Sequence, residues 1–257
     1  MYQLCKNCNA PLEGNFCNNC GQSSKTEPIN FHSFLHEVGH ILHFENGFFH
    51  TLKEIIVRPG TTVRNYIKGQ RVRHIKPISL LFLMGILNSI AFHYLENNNM
   101  LAVEIHTDYN KMADTILVNM VKAIQHLLIE QSAKLQVLLV LLWSFCSYLV
   151  FRKKGYNFFE HLVTNAYRTS QYLFFSIILM GISFLIFRDD TATRADYFRY
   201  TDYAVFYFLM FRFNILFFES TNKARIVFKT ILSILFYLLL LLLILFVTFF
   251  LLYFTGI

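Results

Sequence analysis

Four cysteines open the chain in two close pairs: Cys5-Lys6-Asn7-Cys8, then Cys17-Asn18-Asn19-Cys20 after eight residues. Two C-x-x-C pairs supply the four thiolates of a tetrahedral zinc site. Each pair brings two sulfurs to one metal from a tight turn. The turn closes best when the residue after the second cysteine takes a positive φ, and those residues are Asn9 and Gly21. Leu12 and Phe16 are the only large apolar residues in the spacer. Metal binding must therefore supply the folding energy, on the order of 10–16 kcal/mol for structural zinc in small peptides. Four cysteines close the coordination sphere, which predicts one structural zinc and not a catalytic one. Two disulfides are the competing reading, disfavoured in the reducing compartment argued below. Iron in a rubredoxin-like site is a minor alternative. The fifth thiol, Cys146, lies in an apolar run and is expected to be a small buried hydrophobe.

A second constellation is His36-Glu37-Val38-Gly39-His40, an H-E-x-x-H match. On a helix the two imidazoles share a face, and Glu37 would polarise a zinc-bound water, as in a metallopeptidase. No spacing singles out a third ligand; Asp189, Asp190 and Glu160 are equally placed. Gly39 weakens such a helix by about 1 kcal/mol relative to Ala. His36, His43 and His50 recur every seven residues, which favours a polar stripe facing water or head groups. The expectation is a non-catalytic histidine face, with the peptidase and a second metal site without peptidase activity as the alternatives.

The elements that carry these residues belong to a membrane protein. Hydrophobic residues make up 55% of the 257 residues and charged residues 15%; soluble domains are nearer a quarter charged. The apolar residues cluster in five runs, 78–95, 135–151, 172–187, 203–218 and 231–254. Each reaches, alone or with its flanks, the roughly 17–25 residues that span a bilayer. Pro77 stands at a natural helix entry before the first. Arg212 interrupts the fourth, where it either snorkels or pairs with a carboxylate or Asn88. With loops assigned alternately, sixteen Lys and Arg fall on the side of the N-terminus and six on the other. That bias places the cysteine module in the cytosol and the C-terminus outside. No cleavable signal peptide is expected.

Between module and membrane, apolar residues at 31, 34, 35, 38, 41 and 42 have helical spacing. Thr51-Leu52-Lys53-Glu54 has the pattern of a capping box, so a helix is expected to begin there. It should stop at Arg58-Pro59-Gly60, and Thr62 could cap a short helix running to Gly69. Arg64, Lys68, Arg71, Arg73 and Lys76 then cluster at the membrane surface. They suit anionic lipid head groups at about 1 kcal/mol each, or act only as a topology signal.

This stretch carries a resemblance. Phe16-Cys17-x-x-Cys20-Gly21-Gln22, Thr51-Leu52-x-Glu54, Arg58-Pro59-Gly60, Tyr66-x-x-Gly69-x-Arg71 and Pro77 resemble the uncharacterised bacterial membrane family named domain of unknown function 3667. The resemblance implies a zinc-ribbon-like N-terminus on a multi-span bacterial inner-membrane protein, with no established activity. An amphipathic segment, a proline and five spans are also loosely similar to Yip-type proteins of membrane organisation and trafficking.

The expected fold is thus an all-α integral membrane protein of about five transmembrane helices with a small four-cysteine zinc-ribbon head. Residues 1–24 would form the ribbon, 25–76 the amphipathic and basic cytosolic segment, and 77–257 the bundle. No nucleotide-binding glycine loop, nucleophile elbow, internal repeat or nucleic-acid platform is present in the sequence. The favoured role is a non-enzymatic scaffold in the inner membrane. It would touch the bilayer, anionic lipids and a cytosolic protein partner, and a homo-oligomer fits the same reading. A zinc metallopeptidase and a small transporter or channel are the alternatives.

Overall fold

The computed structural model describes residues 3–26, 28–31, 47–97, 132–188, 190–219 and 222–255. Two short antiparallel strands, β1 (Gln3–Leu4) and β2 (Pro11–Leu12), lie at the N-terminus. Seven helices follow among the described residues: α1 (Phe48–Val57), α2 (Pro59–Ile67), α3 (Pro77–Asn97), α4 (Ser132–Phe151), α5 (Phe158–Ile186), α6 (Thr191–Phe218) and α7 (Lys223–Thr255). Five are long and apolar enough to cross a membrane, over Pro77–Tyr94, Leu135–Lys154, Phe158–Ile186, Thr193–Phe218 and Lys223–Thr248. The expectation of five spans holds.

The bundle is organised around α5, which packs on α3, α4 and α6, while α7 lies against α4 and α6. Its core joins Leu80, Leu81 and Met84 of α3, Phe151 of α4, Ala166 and Tyr167 of α5, and Phe213 and Phe217 of α6. The rings of Phe151 and Phe218 stack at 4.1 Å. α5 begins at Phe158, well before the apolar run at 172, because Asn157 and Glu160 form a reciprocal capping box. The third span therefore takes in His161, Asn165, Arg168 and Gln171, all buried.

The juxtamembrane helices depart from expectation at both threonines expected to cap them. α1 starts at Phe48 behind Gly47, at φ 127°, and Thr51 lies inside it. The Thr51 hydroxyl does not cap the helix but accepts the backbone N–H of Ile75 at 2.9 Å. Glu54 pairs with Arg58 at 2.8 Å. The turn at Arg58-Pro59 is as expected, with Pro59 in the first turn of α2. Thr62 likewise sits inside α2, donating to the carbonyl of Arg58 at 2.8 Å.

α2 meets the carboxyl end of α6. A Cβ on Gly60 would stand 2.1 Å from the carbonyl oxygen of Leu216, closer than any side chain permits. Arg64 donates to the carbonyls of Leu216 and, at 2.9 Å, Phe217, and pairs with Glu219. Arg212 reaches out of its span to the carbonyl of Val57 at 3.4 Å, the outward reach expected of a snorkelling arginine.

The loop into α3 is fixed by Tyr167, which donates to the carbonyl of Ile75 at 2.7 Å. Beside it the half-buried His74 ring lies 5.3 Å from His50 and 6.4 Å from Tyr66. Burial, then the charge of His50, hold His74 down at about 4, with Glu54 opposing.

Gly60→Ala is expected to destabilise the fold by about 1–3 kcal/mol, because both clashing groups are backbone and α2 must move; a lower melting temperature in detergent checks it. Because His74 titrates lower when folded, the unfolded chain binds the extra proton between pH 6.5 and about 4. Stability should be complete above 6.5 and fall through that window, by no more than about 3 kcal/mol before solvent screening is discounted. His74→Gln should flatten that part of the melting-temperature profile.

Candidate metal centre

The four head cysteines converge. Their sulfurs all lie within 4.8 Å of one another, with Cys5 to Cys20 at 3.6 Å and Cys8 to Cys17 at 3.5 Å. A tetrahedron with metal–sulfur bonds of about 2.3 Å has sulfurs about 3.8 Å apart, so the donor set fits such an ion. The thiols are free, not bridged.

Local backbone explains the convergence. In the first knuckle the N–H of Asn9 bonds the carbonyl of Cys5 at 2.9 Å, and Asn9 takes φ 60°. In the second, the N–H of Gly21 bonds the carbonyl of Cys17 at 2.8 Å, with Gly21 at φ 72°. These are the two residues whose types suit a positive φ. The N–H of Ala10 and the Asn19 side chain pull the Cys8 thiol down to about 6. Cys17 moves up to about 11: the N–H groups of Cys20 and Asn19 favour its thiolate, but burial and the Cys8 and Cys5 sulfurs outweigh them. Four thiolates in this volume repel unless a cation lies between them. The cluster could hold one metal ion with every coordination position filled by protein.

The head is docked on the membrane side of the chain. Gln22, 4% exposed, accepts with its side-chain oxygen the backbone N–H of Arg71 at 3.4 Å and of Val72 at 3.3 Å. Its own carbonyl accepts the N–H of Cys17 at 2.8 Å. Gly69, at φ 106°, lies under Lys6 and Thr26, where an added Cβ would come within 3.1 Å of both side chains. One residue thus joins a cysteine knuckle to the loop that enters the first span.

The basic cluster is not uniform. Lys68 and Arg73 are exposed, while Arg71 and Lys76 are half-buried. Arg71 lies over the Tyr66 ring, its Cζ 5.4 Å from the centroid, and donates to the carbonyl of Tyr66 at 3.2 Å. Arg64 is taken up by the end of α6. His36, Glu37 and His40 lie outside the described residues. Among the described residues the four cysteines form the only group of three or more metal-ligating side chains. Cys146 is buried, as expected.

Residues 45–88 match the family model described as protein of unknown function (DUF3667). That is the family the motifs resemble, and the match takes in Thr51, Arg58-Pro59-Gly60, Tyr66, Gly69, Arg71 and Pro77. No curated protein and no solved structure matches the chain.

Gln22→Ala removes the side-chain acceptor of two part-buried entry-loop hydrogen bonds, at about 0.5–1.5 kcal/mol each. Hydrogen exchange at Arg71 and Val72 should speed up, while the metal-binding capacity per chain should stay unchanged because none of the four cysteines is lost.

Proposed function

We propose that this chain is a non-enzymatic scaffold of the bacterial inner membrane, built on one structural zinc in a cytosolic head. The closed four-thiolate cluster carries the reading. Four sulfurs in tetrahedral reach suit zinc and leave no position for water or substrate. Docking through Gln22 gives such a site a mechanical use, since it ties the head to the entry of the first span. The cation bias supports the orientation: with Arg168 placed inside α5, fifteen Lys and Arg still fall on the head's side against six.

The surface of the head suits partners more than substrates. Leu4 and Phe16 are exposed on the ribbon, and Phe49 and Val57 on α1. The exposed Lys68 and Arg73 would meet anionic head groups at the inner leaflet, at about 1 kcal/mol per cation. A cytosolic protein bound across these apolar side chains completes the reading.

Metal analysis of purified protein should return one zinc per chain, lost in Cys8→Ser and Cys17→Ser. Two zincs, the second abolished by His36→Ala, together with loss of function in Glu37→Gln, would favour a metallopeptidase instead. A reporter fused after Ile257 should be active only outside the cytosol; cytosolic activity would overturn the orientation.

A further inference from the structure

The bundle interior holds a cation that the head does not use. Arg168 lies ten residues into α5, about 15 Å along the helix from its start, and is 4% exposed. Its Cζ sits 4.8 Å over the ring of Trp143 on α4, and Trp143 stands 4.6 Å from the ring of Tyr237 on α7. Among the described residues its Nη1 has no hydrogen-bond partner and no carboxylate pairs with it. One turn on, Gln171 is 1% exposed, and both its amide atoms lack partners. Asn165, one turn back, donates to Ser144 at 3.1 Å. Residues 165, 168 and 171 share one face of the helix.

A guanidinium keeps its proton in proteins, and a charge taken from water without a counter-charge costs folding free energy. A single indole face offsets only part of that. An amide with both ends unsatisfied adds to the cost. Sites that keep such groups have a reason to do so, and inside a membrane an ionisable side chain marks a ligand or ion site by default. The planar donors of Arg168 match a carboxylate or phosphate in two-point fashion, and the Gln171 amide adds a neutral donor from the next turn.

We propose that Arg168 and Gln171, walled by Trp143 and Tyr237, bind the carboxylate or phosphate group of an anionic ligand within the bundle. Two sources share that chemistry: a small soluble anion, or the head group of an anionic phospholipid entering beside α7, the least covered of the five spans.

Trp143 is the single tryptophan of the chain, so its emission reports on this site alone. The full-length protein in phosphatidylcholine nanodiscs is titrated with inorganic phosphate and with acetate at constant ionic strength. In a separate series it is reconstituted with rising phosphatidylglycerol. A saturable change in emission is expected in at least one series. It should be absent in Arg168→Met and half-saturate at roughly tenfold higher concentration in Gln171→Leu, the loss of one hydrogen bond to a charged group. Saturation by phosphate or acetate assigns a soluble anion; saturation by phosphatidylglycerol assigns a lipid head group. In anion-free phosphatidylcholine discs Arg168→Met should melt no lower than the parent protein, since it sheds an uncompensated charge. Three results would each overturn the proposal: flat emission in every series, an unchanged response in Arg168→Met, or a clearly lower melting temperature of Arg168→Met without anion, which would make the guanidinium a structural group.

Discussion

The carboxyl end of α6 is the constraint on which the juxtamembrane half of the structure depends. The last carbonyls of any helix have no partner within it, so donors must come from outside the helix. Here Arg64 donates to Leu216 and Phe217, Lys154 donates to Phe218 at 3.4 Å, and Glu219 ends the helix at φ 36°. Arg64 can reach only because α2 lies against the α6 backbone, and α2 can lie there only because residue 60 has no Cβ. Cations at a helix C-terminus also oppose its dipole favourably. One contact thus satisfies hydrogen bonds, compensates charge and sets the angle at which α2 leaves α1.

From that contact the remaining positions follow in order. α2 carries Tyr66, buried edge-on against Tyr167 of α5 at 5.5 Å. Tyr66 in turn holds Arg71, and Tyr167 holds the carbonyl of Ile75. The loop between them is pinned at both ends before it enters the first span, and its N–H groups at Arg71 and Val72 donate to Gln22, which docks there. Gly60, Arg64, Tyr66, Arg71 and Ile75, which take part in these contacts, all lie in the segment 45–88 that matches the family of unknown function. In this chain that segment supplies one side of a clamp between the juxtamembrane helices and the bundle.

Features with local causes were legible in the sequence. The cysteine spacing, the positive-φ residues behind each pair, Pro59 and Pro77 at helix starts, and five apolar segments all act within a few residues of themselves. Features with tertiary causes were not. Thr51 and Glu54 have capping-box spacing, yet Thr51 serves Ile75, twenty-four residues away. Arg64 looks like one more surface cation, and only the approach of α6 gives it another task. The third span begins fourteen residues before its apolar run. A hydropathy run treats polar side chains as solvated, whereas those of α5 are buried on one face against α4. The helical spacing of 161, 165, 168 and 171 was the available signal. It gains meaning only when a neighbouring helix covers that face.

The head is too small to fold around a core, and that explains how it is attached. Its strands are two residues each, and Leu4 and Phe16 stay exposed, so apolar burial contributes little to its stability. A metal held by the four cysteines would supply what the core cannot. The same economy governs docking. Gln22 is held on its backbone side by the N–H of Cys17, a cluster ligand, and on its side-chain side by the entry loop of the first span. No intervening element can absorb a displacement between the two. The conformation of the second knuckle is therefore the conformation that presents Gln22, and a metal bound by the cysteines would set the geometry of that contact with the entry loop.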